Sequence, residues 1–265
     1  MQIPNGFKPV QISLNHKPTE IQGMYHIIEQ KTVVGVTELV KLLIPGSITQ
    51  GLGDTVNIVT PTTPPPKFLQ GRRIAISAAH GNGRNVSSCN SAYNEANFVL
   101  EVVLKLAPML ILDGAVVFLP RTKLTEDMSL QTRSERIDQF GADLCIEVHT
   151  DSIGTGCTIP RGTHIIRQIS RPGDPLAHAL FEEIYAATGL PQRFIWAKEG
   201  SPGFDWYYML RVPRAHNLLI ELGFHSNKQD LEFLLSPGAP RLCAQGIRNG
   251  IVKHYTTLTK KSSSW

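Results

Sequence analysis

The chain has 265 residues, 42% of them hydrophobic and 18% charged, with a formal net charge of +4 at pH 7. That is enough for one large domain, or a medium one with a small companion, and the composition is that of a globular rather than a disordered chain. The charge is too small to mark a nucleic-acid binder, although it suits a polyanionic surface, and no stretch approaches the ~20 apolar residues of a membrane span.

The start Met1-Gln2-Ile3-Pro4-Asn5-Gly6 lacks a charged segment followed by an apolar one, so no export signal is expected. Residues 1–60 read as a small accessory α+β unit. Strands are expected at 21–28, 32–36 and 55–59, with a helix at 37–43 that opens on Thr37. Over a short stretch this order resembles the repeats of copper-amine-oxidase N-terminal-like domains. Pro61-Thr62-Thr63-Pro64-Pro65-Pro66-Lys67 then forms an extended spacer, and residues 61–70 are taken as the linker.

From Arg72 onward, strands alternate with helices, the pattern of an α/β domain with a twisted, mostly parallel central sheet flanked by helices. The domain is expected to span residues 71–257, with a disordered tail at 258–265. Its first strand, Arg72 to Ala79, runs into His80-Gly81. A helix beginning near Ser91 places Ala92, Ala96, Val99, Val103, Leu106 and Leu110 on one stripe, turns Glu95 inward near its start, and should kink or end at Pro108. Strands at 115–119 and 143–149, with a helix at 130–140 between them, bring the chain to a second strand-terminal histidine, His149. A strand at 163–166, a helix at 174–188 with Pro175 in its first turn, a strand at 217–221 ending on Glu221, and a helix at 239–255 complete the reading. Gly246 and Gly250 should let that last helix pack closely. Cys89, Cys145, Cys157 and Cys243 show no C-x-x-C spacing, so neither a zinc ribbon nor a redox pair is indicated, and Cys145 reads as core.

Two histidines and a glutamate are a ligand set for catalytic zinc, which keeps one position open for water. His80, Glu95 and His149 are candidates of those types, but their spacing alone does not establish convergence. Residues 72–255 also resemble the zinc-dependent N-acetylmuramoyl-L-alanine amidases of sporulation, cell-separation and phage-lysis proteins. His80-Gly81 matches the family's opening motif, Glu95 in Tyr93-Asn94-Glu95-Ala96-Asn97 its helix-borne glutamate, and His149 in Ile146-Glu147-Val148-His149-Thr150-Asp151 its second histidine. Pro120-Arg121 approximates a threonine-arginine element and Arg133 a later arginine. Glu221-Leu222-Gly223-Phe224-His225-Ser226-Asn227 is close to the family's Glu-x-Gly-Phe-x-Ser-Asn sequence.

The resemblance implies one Zn2+ held by His80, Glu95 and His149, with Glu221 as general base, and no other cofactor. The implied substrate is peptidoglycan, glycan strand and stem peptide together, cleaved between N-acetylmuramic acid and L-alanine. The setting it implies is that of an endolysin or autolysin acting on the bacterial wall, after release from a host or mother-cell cytoplasm, with no nucleic acid or integral membrane segment involved. A zinc carboxypeptidase or other peptidase acting on wall peptides, and a wall-binding module without chemistry, are the alternatives.

The chain departs from the family at Ser77, where an aspartate is usual, at Glu147, where a serine is usual, and at Asp151, where an asparagine is usual. Residues two apart in a strand share a face, so Glu147 is expected on the side of His149, with Ser77 within hydrogen-bonding reach, as a carboxylate for the ligand's second ring N–H. A glutamate that faces solvent or pairs with a structural arginine is the alternative. His164, His178, His216 and His225 carry no ligand pattern and read as structural or surface residues. Asp205 to Arg211 offers aromatic faces for a substrate groove or for the core.

Overall fold

The computed structural model describes the backbone of residues 7–14, 17–26, 31–32, 48–52, 55–59 and 67–262, and the side chains of residues 67–258. The chain divides into two compact units, Met1–Lys67 and Phe68–Trp265.

In the first unit five strands, β1 (Phe7–Leu14), β2 (Lys17–His26), β3 (Lys31–Thr32), β4 (Ile48–Leu52) and β5 (Thr55–Val59), form one sheet in the order β3-β2-β1-β5-β4. All neighbours are antiparallel except the β1–β5 pair. β1 and β4 were not anticipated from the sequence, while the expected helix at 37–43 lies outside the described residues.

The second unit is built on a six-stranded sheet of β6 (Arg73–Ala78), β7 (Val116–Phe118), β8 (Leu144–Asp151), β9 (Thr163–Arg167), β10 (Gln192–Trp196) and β11 (His216–Phe224). The order is β10-β9-β11-β8-β6-β7. Every pair is parallel except β11–β9, so β11, the last strand in sequence, fills a gap between β8 and β9. Helices α1 (Glu95–Leu112), α2 (Leu130–Phe140), α3 (Pro175–Thr188), α4 (Tyr208–Arg211), α5 (Lys228–Leu234) and α6 (Ala239–Ser262) complete it.

The period-two alternation of the strands divides the core into two layers. Ile74, Ile76, Leu144, Ile146, Val148, Leu218 and Ile220 point to one face and pack with residues of α1, α3 and α6. Ala75 and Cys145 point to the other, against Ile137 of α2 and Met209 of α4. By the same alternation, Ser77, Glu147, His149, Leu219 and Glu221 belong to the α2/α4 face, and the chemistry gathers there. Opposite it, α6 lies close on α3: a Cβ at Gly246 would stand 2.7 Å from Ile184 Cα, and one at Gly250 2.7 Å from Leu180 Cα.

In this unit five boundaries differ from the sequence reading by two residues or more, one of them at His149: β8 runs on to Asp151, so His149 lies inside that strand rather than at its end. α1 starts at Glu95 rather than near Ser91, because Asn94 takes the cap and accepts from the Asn97 amide. It neither ends nor breaks off at Pro108 but runs on to Leu112, its apolar stripe buried through Leu110. β11 continues past Glu221 to Phe224 through a shift in pairing register. α6 extends to Ser262, into the segment expected to be a disordered tail.

Candidate active site

His80 lies two residues beyond the end of β6, with φ of 53°, in the left-handed region that non-glycine residues seldom occupy. Gly81 follows because the chain passes hard against another loop, and a Cβ there would run into the Glu126 carbonyl. Two buried arginines hold this turn. Arg121 donates through Nη2 to the Ala79 carbonyl at 2.8 Å and the Ala96 carbonyl at 3.0 Å, joining the turn to the first residues of α1. Arg133 of α2 donates to the Ala78 and His80 carbonyls at 2.9 and 3.0 Å.

Glu95 is the first residue of α1 and fully buried. Its Oε1 accepts from the Thr150 amide at 3.0 Å and lies 3.0 Å from His149 Nδ1. Its Oε2 lies 3.2 Å from His80 Nε2 and accepts from the Asn85 amide group. Burial works against the charge on this carboxylate, but the hydrogen bonds to His149 and His80 outweigh it and hold Glu95 well below the usual carboxylate range. On His149, burial again opposes the charge, but the hydrogen bond it makes to Glu95, together with the nearby Glu221 carboxylate, raises the imidazole to about 9. The structure thus brings His80, Glu95 and His149 together, with one donor atom from each lying within 4.8 Å of the others.

Glu221 stands directly across from His149 in the β11–β8 register. It shares a cleft of about 330 Å³ with His80 and His149, walled by Met128, Leu130, Tyr207, Tyr208, Met209 and Leu219. Its Oε2 is buried without a hydrogen-bond partner. Burial raises the Glu221 carboxyl well above its ordinary value, His149 pulls it down, and Glu95 and Asp151 push it up again. Of the segment Asp205 to Arg211, Tyr207, Tyr208 and Met209 line the cleft, while Trp206 is exposed.

Ser77 and Glu147 are register partners on adjacent strands, but the hydrogen bond expected between them is not made. Arg133 lies between, with Nη1 2.7 Å from Glu147 Oε1 and 3.3 Å from Ser77 Oγ.

Two features escaped the sequence reading. Cys89 and Cys157 form a disulfide across 68 residues, stapling the loop between His80 and Glu95 to the loop that follows β8. His225 is fully buried, with Nε2 3.7 Å from Glu95 Oε2 and its ring stacked on Tyr93. The signal for it was present: it belongs to the same short motif that singled out Glu221. The other three histidines stand apart from the triad. His216 pairs with Asp174 at 2.5 Å, His164 lies 3.6 Å from Asp151, and His178 lines a separate surface cavity.

Comparison with known proteins agrees with this architecture. The chain is 26% identical over 195 residues to the N-acetylmuramoyl-L-alanine amidase CwlM of Bacillus licheniformis, covering 72% of each chain. Its fold is shared with the catalytic domain of CwlV, an N-acetylmuramoyl-L-alanine amidase from Bacillus (Paenibacillus) polymyxa var. colistinus, at a TM-score of 0.61 and 24% identity over 70% of this chain and 98% of that one. An N-acetylmuramoyl-L-alanine amidase from Clostridium difficile 630 gives a TM-score of 0.61 at 20% identity, over 71% and 98% of the two chains. The N-acetylmuramoyl-L-alanine amidase family model matches residues 74–253, most of the second unit and well over half of the chain, and the chain belongs to that family.

Proposed function

We propose that this chain hydrolyses the amide between N-acetylmuramic acid and the L-alanine of the peptidoglycan stem peptide with one Zn2+ held by His80, Glu95 and His149 and with Glu221 as general base. The observation that carries this reading is the convergence of those three donors, two of which, His80 and His149, open onto the cleft that also holds Glu221. Two imidazoles and a carboxylate suit zinc and leave a position for water. The donors are also braced from outside, Glu95 by the Thr150 amide and Asn85, and His80 through its carbonyl by Arg133.

When bound, zinc lowers the pKa of a water to about 7 and polarises the scissile carbonyl. The protein groups do the rest. A carboxylate whose surroundings raise its pKa is suited to accept a proton near neutral pH, and Glu221 takes the proton released as the water oxygen joins the carbonyl carbon. As the C–N bond breaks, Glu221 returns that proton to the α-amino group of the departing L-alanine. Tyr207, Tyr208, Met209 and Leu130 give the cleft a largely apolar wall beside the reacting groups.

The reaction takes place on the wall, and the Cys89–Cys157 disulfide supports an oxidising setting outside the cytosol. Among the described residues no helix is long and apolar enough to cross a membrane. Residues 71–257 act as the catalytic domain and residues 1–60 as an accessory unit that raises wall affinity, a reading supported by the division at Lys67 and by the place of every candidate catalytic group beyond it. Incubating the protein with purified peptidoglycan, with and without a chelator, and weighing the products tests the proposal. Free stem peptide with an L-alanine amino terminus, lost on chelation and regained with zinc, is expected. Release of single terminal amino acids would instead indicate a carboxypeptidase, and undiminished activity in a metal-free preparation would remove the zinc.

A further inference from the structure

The α2/α4 face of the sheet buries an ion pair whose carboxylate the hydrolytic scheme leaves unused. Arg133 and Glu147 are both almost wholly inaccessible, and Arg133 Nη1 lies 2.7 Å from Glu147 Oε1. We propose that this pair is a positioning device for both histidine ligands, with one guanidinium and one carboxylate setting the backbone of His80 and the ring of His149. The inference rests on the zinc reading above.

The His80 half follows from where the guanidinium's hydrogen bonds go. Arg133 spends Nη1 on the Ala78 carbonyl and Nη2 on the His80 carbonyl, besides the contacts to Ser77 Oγ and Glu147. His80 is the residue with φ of 53°. A side chain in that conformation is held there only when its surroundings over-determine it. Arg133 binds the carbonyl on the far side of the unfavourable torsion and ties it to β8, the strand that carries the second histidine.

The His149 half follows from the division of its two nitrogens between two acids. Nδ1 lies 3.0 Å from Glu95 and so faces the triad, while Nε2 lies 3.8 Å from Glu147 Oε1. A ring that gives Nδ1 to a metal keeps its proton on Nε2, and the nearby acceptor for that proton is Glu147. The carboxylate is short of donors, since its Oε2 is buried without a partner. A small rotation of the imidazole shortens 3.8 Å to hydrogen-bonding distance, and such a bond fixes the tautomer and raises the basicity of the metal-facing nitrogen. Residues 147 and 149 point the same way because they are two apart in β8, and Arg133 holds Glu147 in register with Ser77.

A merely structural ion pair makes a different prediction. Removing one partner from a buried pair is strongly destabilising, whereas replacing both with apolar side chains of similar volume is close to neutral. The test compares the full chain with Glu147→Gln and with Arg133→Met/Glu147→Leu, reading zinc affinity by competition with a chromophoric chelator and melting temperature without metal. Glu147→Gln should weaken zinc binding by about 10- to 100-fold. The double variant leaves no unpaired buried charge and should melt no lower than Glu147→Gln, though below wild type because the Ala78 and His80 carbonyls lose their donor. It should bind zinc at least as weakly as the single one. Wild-type affinity in the double variant, or in Glu147→Gln, overturns the positioning role while leaving the zinc site intact. Failure of the unaltered chain to bind zinc overturns the metal reading, and this inference with it.

Discussion

His225 Nε2 lies 3.7 Å from the Oε2 of Glu95, on a fully buried ring whose two nitrogens have no hydrogen-bond partner. Burial lowers the pKa of this imidazole, so it stands neutral beside the carboxylate at the centre of the triad. Replacing it with Phe keeps the stacking on Tyr93 and removes two unsatisfied polar atoms. The metal-free His225→Phe protein should therefore melt no lower than wild type. Its zinc affinity should change little, because His225 makes no hydrogen bond to Glu95, whose second oxygen accepts from Asn85 instead. Calorimetry with and without zinc reads both quantities.

Glu221→Gln separates metal binding from turnover. The amide fills the same space but accepts no proton, so zinc should stay bound while the rate on muropeptides falls by about 100-fold or more. His80→Ala and His149→Ala should lose the metal as well, since each removes one of the three converging donors. Metal analysis beside rate measurement distinguishes the two classes. A Gln variant working at near wild-type rate would move the base elsewhere.

Reduction of the Cys89–Cys157 bridge should weaken the protein near its site. The bridge closes a loop with a separation of 68 residues, for which chain entropy alone gives about 4 kcal/mol, with about 2–5 kcal/mol usual for loss of a native bridge. Cys89→Ser/Cys157→Ser should shift the denaturant midpoint accordingly. Reductant should lower the wild-type midpoint towards that of the variant and leave the variant unmoved.

Asp174 supplies an acid-sensitive contribution far from the catalytic cleft. It caps α3 by accepting from the Leu176 amide and lies 2.5 Å from His216 Nε2. Burial alone would raise its pKa, but the bond to His216 prevails and the carboxyl sits below its ordinary value of 3.8. A depressed folded-state pKa means that this stability is present above pH 3.8 and is lost as the pH falls through the folded value. Asp174→Ala should cost about 1–2 kcal/mol at neutral pH. Denaturant titrations at pH 6 and pH 3 should show wild type losing more on acidification than the variant does.

What the sequence disclosed and what it withheld divide along the range of the forces involved. The strand-to-histidine transition at His80, the burial of Glu95 on the apolar stripe of α1, and the shared face of Glu147 and His149 all follow from local periodicity, whereas His149 proved to lie within β8 rather than at its end. The resemblance supplied their order and the place of Glu221. The Cys89–Cys157 bridge left no mark in the spacing, because it depends on two loops meeting only after β8 and β6 have paired. Arg133 was noted as a family arginine, yet its bonds to Ser77, His80 and Glu147 exist only once α2 has docked. β10 was missed because its residues Gln192 to Phe194 are exposed, so no buried alternation announces an edge strand. Pro108, expected to kink or end α1, does not end it: the buried stripe around it, from Val99 through Leu106 to Leu110, carries the helix past the hydrogen bond that proline cannot make.

The position of β11 governs when activity can begin. Its residues reach the growing chain after those of the other five strands, yet it is seated between β8 and β9 and brings Glu221 with it. Without β11 no pairing joins β7-β6-β8 to β9-β10, so each group is left with an open edge and neither carries Glu221. Non-local pairing of this kind slows folding and exposes such edges to the wrong partner. The same insertion that joins the two halves of the sheet thus brings Glu221 opposite His149, so on the proposed mechanism sheet closure and a complete site arrive together.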